Sequence, residues 1–200
     1  MVDINEFYKF IDCAMSNIAN DYWMVQTAEG DEKVRERVFC YELYHQMRLL
    51  QELPKHGFPQ MSELTIAGEL LKRGFVGFKS EDGNTDEQKC PDFIFHIPKE
   101  HKNNAIVMEV KGRTNSDSYK QGIYNDFKTI NAFIKSRKLY YQAGVFLLYG
   151  HTQQEAIRVI RSITFDFKFV APDKIYIITK ERNREEMKVK KLSEIFSEEH

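Results

Sequence analysis

Residues 89 to 112 read KCPDFIFHIPKEHKNNAIVMEVKG. Two apolar runs with strand character carry Asp92 at the start of one and Glu109 and Lys111 near the end of the other. A strand buried on both faces should be apolar throughout. A lone buried carboxylate or ammonium is costly unless it is paired, hydrated or bound to a metal. Glu109 and Lys111 could simply pair with each other at a strand end, an arrangement of small energetic weight. Asp92 adds a second acid. Pro91 fixes the chain as it enters the strand and gives up a donor, and the intervening loop is long enough for an antiparallel or bent pair that sets Asp92 beside Glu109. Two adjacent carboxylates repel unless a cation lies between them, and a hard divalent ion such as Mg²⁺ takes a few carboxylate oxygens and keeps several waters. Alternation puts Val107, Glu109 and Lys111 on one face, with Lys111 about 6–7 Å beyond Glu109. Two acids and an ammonium around one ion suit phosphodiester hydrolysis: the metal acidifies a water and the lysine orients or deprotonates it.

On these residues the sequence resembles the PD-(D/E)xK nuclease superfamily, the restriction-endonuclease-like fold. Pro91-Asp92 would be its "PD" and Glu109-Val110-Lys111 its "ExK", and the resemblance covers residues 30 to 150 or so. It implies a helix, a mixed sheet of about four strands and a flanking helix between strands. It also implies a Mg²⁺-dependent nuclease (Mn²⁺ may stand in) that cuts DNA, less often RNA, often as a homodimer, and a place in defence or mobile-element biology. Members often add a glutamate from the helix before the sheet. Glu36 and Glu42 in VRERVFCYELYHQMRLL are the candidates. At 100° per residue Glu36 falls in the middle of the stripe made by Phe39, Cys40, Leu43, Met47 and Leu50, whereas Glu42 sits at its edge. Glu36 is therefore preferred as a third metal-side acid with Asp92 and Glu109, although a first-turn glutamate is also favoured by the helix dipole alone.

Around this core, Arg113, Lys120 and Gln121 are expected to contact substrate. Some relatives carry Gln-x-x-x-Tyr at the last position, whereas here Tyr124 is one residue too close. Glu69, with Lys72 or Arg73, is either a supporting acid or a solvated strand residue. His96 shares the Asp92 face but is expected as a core histidine. Lys135, Arg137 and Lys138 suit a helix C-terminus whatever the function. Lys180 to Lys191, with six basic and three acidic residues, could track a nucleic-acid backbone, and a solubilised terminal hairpin explains it equally. Tyr140-Tyr141 offers stacking faces or packing next to a buried strand.

These groups must be positioned by a chain of 200 residues, 42% hydrophobic, long enough for one domain with a real core. Apolar spacing predicts a helix over 4–27 and a second over 32–53, the latter stopped by Pro54. ELTIAGELLKRG (63–74) reads as a strand with Gly74 in the turn after it, or as a short helix, and strands follow in the two runs above, beyond a polar loop at 79–90. Helix 119–138, buried strand AGVFLLYG, helix TQQEAIRVIRSI (152–163) with Thr152 as its N-cap, and strand KIYIITK come next. EEMKVKKL is a hairpin partner or a short helix. The fold class is α/β: a restriction-endonuclease-like core with a mixed central sheet flanked by helices. Residues 1–30 form an N-terminal helical extension and 31–200 the nuclease-like domain. The amphipathic first helix could supply the homodimer interface.

The formal net charge of −1 carries no global basic signal. Residues 1–36 balance to −5 and residues 99–138 to +5, which permits a local anion-binding face. Three cysteines without CxxC spacing disfavour a disulfide framework or a zinc site. With no leader pattern and no membrane-length apolar run, a cytoplasmic protein is expected. No phosphate-binding glycine loop, nucleophile elbow or HExxH helix is present, which disfavours kinase, ATPase, serine hydrolase and zinc protease chemistry. The rival reading is a module of the same fold that binds nucleic acid or a partner protein without turnover.

Overall fold

The computed structural model describes residues 2–26, 32–33, 35–53, 57–68, 91–97, 104–114, 118–136, 139 and 141–197. The chain is α/β, with a six-stranded open mixed sheet flanked by helices. The sheet runs β3 (Thr65–Gly68), β4 (Phe93–His96), β5 (Asn104–Gly112), β6 (Ala143–Tyr149), β7 (Ile175–Lys180), β8 (Lys188–Lys191), in that spatial order. Strands β5, β6 and β7 are parallel, and the flanking pairs are antiparallel.

Period-2 alternation divides the core. Phe93, Phe95, Ile106, Met108 and Val110 face α1 (Ile4–Asn17) and α3 (Glu36–Glu52). Ile94, Val107, Phe146 and Leu148 face α5 (Tyr119–Lys135) and α6 (Gln153–Arg161). Strand β6 is buried along its whole length, as its unbroken apolar run requires. Gly144 lets α5 approach it: a Cβ there would stand 2.3 Å from Ile130 Cγ2 and 2.9 Å from Ile134 Cδ1. Helix α6 opens on a full capping box between Thr152 and Glu155. Of the two alternatives for EEMKVKKL the strand is observed: β8 pairs with β7, and α7 (Leu192–Ser197) begins only at the last residue of the stretch.

The N-terminal third differs from expectation. The first helix stops at Asn17 where Ile18 turns extended. A four-residue helix, α2 (Asn20–Trp23), follows, and β1 (Val25–Gln26) pairs with β2 (Glu32–Lys33). The second helix accordingly starts at Glu36, because Glu32 and Lys33 are committed to the hairpin. Helix α1 is built into the common core: Phe7, Phe10, Ile11, Ala14 and Met15 are buried with Phe39, Leu43 and Phe95. Its apolar face is thus covered within the chain, which removes the expected reason for dimerising through it. A short turn of helix, α4 (Pro59–Ser62), is tied to α1 by Glu6, whose carboxylate accepts the Gln60 N–H at 2.8 Å. Of the strand expected over 63–74, Thr65–Gly68 is observed. Pro54, Glu69, Lys72, Arg73, the loop 79–90, Arg137, Lys138 and Tyr140 lie outside the described residues. Among the described residues no helix is long and apolar enough to cross a membrane.

Candidate metal and phosphodiester site

The ladder between β4 and β5 ends at the Phe93–Met108 pair. Beyond it, among the described residues, no strand lies beside β5 from Glu109 to Gly112 on that side, and side chains take up backbone groups there. Val110 N–H donates to Asp92 Oδ2 at 2.7 Å, and Asp92 N–H donates to Glu109 Oε2 at 3.2 Å. Each acid thus grips the other's strand, and the two carboxyls end side by side. Glu109 is only 5% exposed.

Lys111 lies two residues on. Its stem crosses α5 at Gly122, where the Lys111 Cε is 3.7 Å from the position a Cβ would take. Its ammonium meets acids from both layers. Glu36, in the first turn of α3, places Oε1 and Oε2 each 3.1 Å from Nζ. Asp126, from α5, places Oδ2 at 3.1 Å. That oxygen is buried and has no aligned hydrogen-bond donor, so the contact is one of charge. The open flank of β5 is what allows helices on opposite faces of the sheet to share one lysine.

The electrostatics follow from one cation among four acids. Burial pushes Asp92 up to about 6, against the Val110 N–H bond that favours its charged form. Burial, with the Asp92 charge adding to it, pushes Glu109 well above the usual carboxylate range. Burial raises Asp126 to about 7 despite Lys111. For Lys111 burial alone would lower the pKa, but Asp126 and Glu36 outweigh it and hold the ammonium above its ordinary value. Without a further cation the Asp92–Glu109 pair relieves its repulsion by keeping a proton.

The donor set fits a hard divalent ion in the place of that proton. Asp92 and Glu109 each accept one backbone N–H, which fixes their direction. Magnesium is commonly held by one or two carboxylates plus waters. Among the described residues no group of three or more His, Cys, Asp or Glu side chains converges as a metal cage. Two protein carboxylates would therefore be completed by water or phosphate oxygens.

Glu36, expected as a third metal-side acid, places its carboxylate on the Lys111 ammonium at 3.1 Å and lines the same cleft as Asp92. Glu42 is away from the site, accepting from Gln46 Nε2 at 2.6 Å. Arg113 is paired with Glu155 at 3.0 Å. Lys120 and Gln121 are exposed on the first turn of α5, and Gln121 Nε2 donates to Asn125 at 3.1 Å. Lys180 cannot track a nucleic-acid backbone: it is 2% exposed and bonded to Asp12 and Ser16. Tyr141 is buried against Phe133.

Asp126 was missed. It occupies the apolar phase of α5, three residues after Ile123 and four before Ile130. The wheel argument that singled out Glu36 applies to it equally. Beside it, Tyr119 O–H bonds the buried His151 Nε2, while His151 Nδ1 has no hydrogen-bond partner. Burial holds that imidazole neutral, with its pKa pushed down to about 4.

From Asp92 a cleft of about 570 Å³ opens toward α3, and Glu36, Arg37, Cys40, Tyr41, Tyr44, Gly68 and Phe93 complete its described lining. Fold and site together define an α/β protein with buried acids gathered around one lysine at an unpaired strand flank. No protein-family model matches the chain, and no curated protein or solved structure matches it significantly.

Proposed function

We propose that the chain is a metal-dependent nuclease of the PD-(D/E)xK kind, hydrolysing phosphodiester bonds, of DNA in preference to RNA. The observation that carries this is the side-by-side placement of Asp92 and Glu109, with Lys111 next along the same open strand flank. The order of elements supports it: helix α3, the antiparallel step β4–β5, the parallel strands β5 to β7, and α5 crossing between β5 and β6. A helix, a mixed sheet and a helix between strands are what the resemblance to that superfamily implies. The service such an enzyme performs, defence or mobility of genetic elements, is part of the same proposal.

In this reading Asp92 and Glu109 hold Mg²⁺, for which Mn²⁺ substitutes. Bound there, the ion would acidify a water and polarise the scissile phosphate. The chain's own residues do the rest. Backbone N–H groups of Asp92 and Val110 aim the two carboxylates. Glu36 and Asp126 hold the Lys111 ammonium at the site, where it would meet a water or phosphate oxygen. The test is incubation of plasmid, linear duplex, single-stranded DNA and RNA with Mg²⁺ or Mn²⁺. Wild type should cut at least one substrate, and Lys111→Ala should slow that cleavage by about 100-fold or more, the size expected of a positioned acid–base group. Identical behaviour of the two proteins on every substrate would sink the reading.

A second reading is favoured by one observation: Lys111 is held between two acids at 3.1 Å, a closed arrangement for a residue that must serve a nucleophile. A non-catalytic module of the same fold would bind nucleic acid or a protein without turnover and would show little metal affinity. Isothermal titration with Mn²⁺, wild type against Asp92→Asn, separates the two.

A further inference from the structure

The cleft beside Asp92 has a second kind of wall that the metal chemistry does not use. Arg37, Tyr41 and Tyr44 stand at i, i+4 and i+7 on α3 and share one helix face, displaced from the stripe of Phe39, Leu43 and Met47 that enters the core. Tyr41 is 61% exposed and Tyr44 37%, large values for aromatic rings on a helix whose opposite face is fully buried. Tyr44 lies nearly parallel to Phe93, with ring planes 6° apart and centroids at 6.4 Å. Phe93 directly follows Asp92. Across the cleft is Gly68, which pairs with Phe93 and brings no side chain into the space. A flat aromatic floor thus ends at the acid that would hold the metal, with a guanidinium on the same helix face.

We infer that this cleft takes an unpaired base of a nucleic acid next to the phosphate being attacked, so that single strands, flaps or frayed ends are bound in preference to blunt duplex. The inference rests on the proposed function for the ligand being a nucleic acid, and specifies its form. In a duplex a protein meets bases at their edges, along grooves about 12 and 6 Å wide. The face of a base is open to an aromatic side chain only when the base is unstacked. Stacking on Tyr41 and Tyr44 is indifferent to sequence, because every base has a π-face. Glu36 and Asp92 line the same cleft and repel the phosphate being attacked, so binding requires the divalent ion that offsets them.

The test is fluorescence anisotropy with labelled oligonucleotides of one sequence, as single strand, blunt duplex and duplex with a single-stranded overhang. Ca²⁺ replaces Mg²⁺, and oligonucleotide integrity is checked on a gel. Wild type should bind single strand and overhang more tightly than blunt duplex. Tyr41→Ala should weaken single-strand binding roughly 5- to 150-fold, the range for loss of one stacked base, while Tyr41→Phe retains it. Tyr41 is exposed, so its replacement should leave Tm unchanged, which separates lost stacking from lost folding. Equal binding of all three forms, an unchanged Tyr41→Ala, or a Tyr41→Phe as weak as the alanine variant would overturn the inference. If wild type cuts nothing yet keeps the Tyr41-dependent preference, the nuclease reading falls and the cleft assignment stands. Cleavage with no such preference gives the reverse.

Discussion

Lys180 and Lys111 are both withdrawn from water, and each holds acids contributed by a distant part of the chain. Lys180 is 1% exposed at its side chain and has one acid partner, Asp12 at 2.5 Å, with Ser16 Oγ at 2.7 Å. One charge meets one charge, and the pair fastens α1 to β7. Lys111 is 17% exposed and faces Glu36 and Asp126, while Asp92 and Glu109 crowd the same flank. Burial lifts two of those neighbours, Asp92 and Asp126, to about 6 and about 7, and it raises Glu109 well above the usual carboxylate range. A matched pair serves the fold, its lysine buried and its acid half-exposed. A surplus of buried acid is unfavourable on its own, and sites that bind cations accept that cost.

The contrast can be broken at its strong end first. Asp12→Ala leaves the Lys180 ammonium buried with a hydroxyl and no counter-charge; because Asp12 itself is 45% exposed, unfolding stability should fall by about 3 kcal/mol, the low end for a broken buried pair, in urea titration. Lys180→Met removes the buried charge altogether and should lose clearly less. Equal losses would mean that Lys180 is not held as a matched pair.

At the surplus end a cation should stabilise rather than a mutation destabilise. Saturating Mn²⁺ at about 100 times its Kd should add about 2.7 kcal/mol to wild type at neutral pH. Asp92→Asn should lose that gain while being at least as stable as wild type in EDTA, because one repulsive charge is gone. A Tm indifferent to Mn²⁺ in both proteins would leave the acids without a purpose of this kind.

The smallest effect is in the pH profile. An acid whose pKa is higher in the folded chain favours folding while protonated. That contribution is present below about pH 4, the unfolded value, and is lost as pH rises through about 6 for Asp92 and about 7 for Asp126. In EDTA, Tm should therefore drop from about pH 5 to about pH 7.5, and Asp126→Asn should flatten the drop. A Tm that climbs over that interval would contradict the burial of uncompensated acid.

Much of this arrangement is legible in local pattern. Alternation in NAIVMEVK separates Ile106, Met108 and Val110 from Val107 and Glu109, and the two cores follow that division. The unbroken apolar run 143–149 marks the central strand, and Thr152 with Glu155 marks the start of α6. The helical stripe of α3 distinguishes Glu36 from Glu42, yet it does not say what Glu36 meets. The break after Asn17 and the short hairpin Val25–Lys33 went unread, because neither has a repeat long enough to register.

The sequence by itself determined the longer strands and helices, which face of each is apolar, and that Asp92, Glu109 and Lys111 break the pattern. Those facts are written in spacings of two to four residues, the range over which a backbone repeats. Only the tertiary structure decided that Glu36, 75 positions before Lys111, and Asp126 on the opposite layer share its ammonium, and that Lys180 crosses 168 positions to reach Asp12. Such partners are set by where a strand ladder stops and which flank it leaves open, and no local period encodes that.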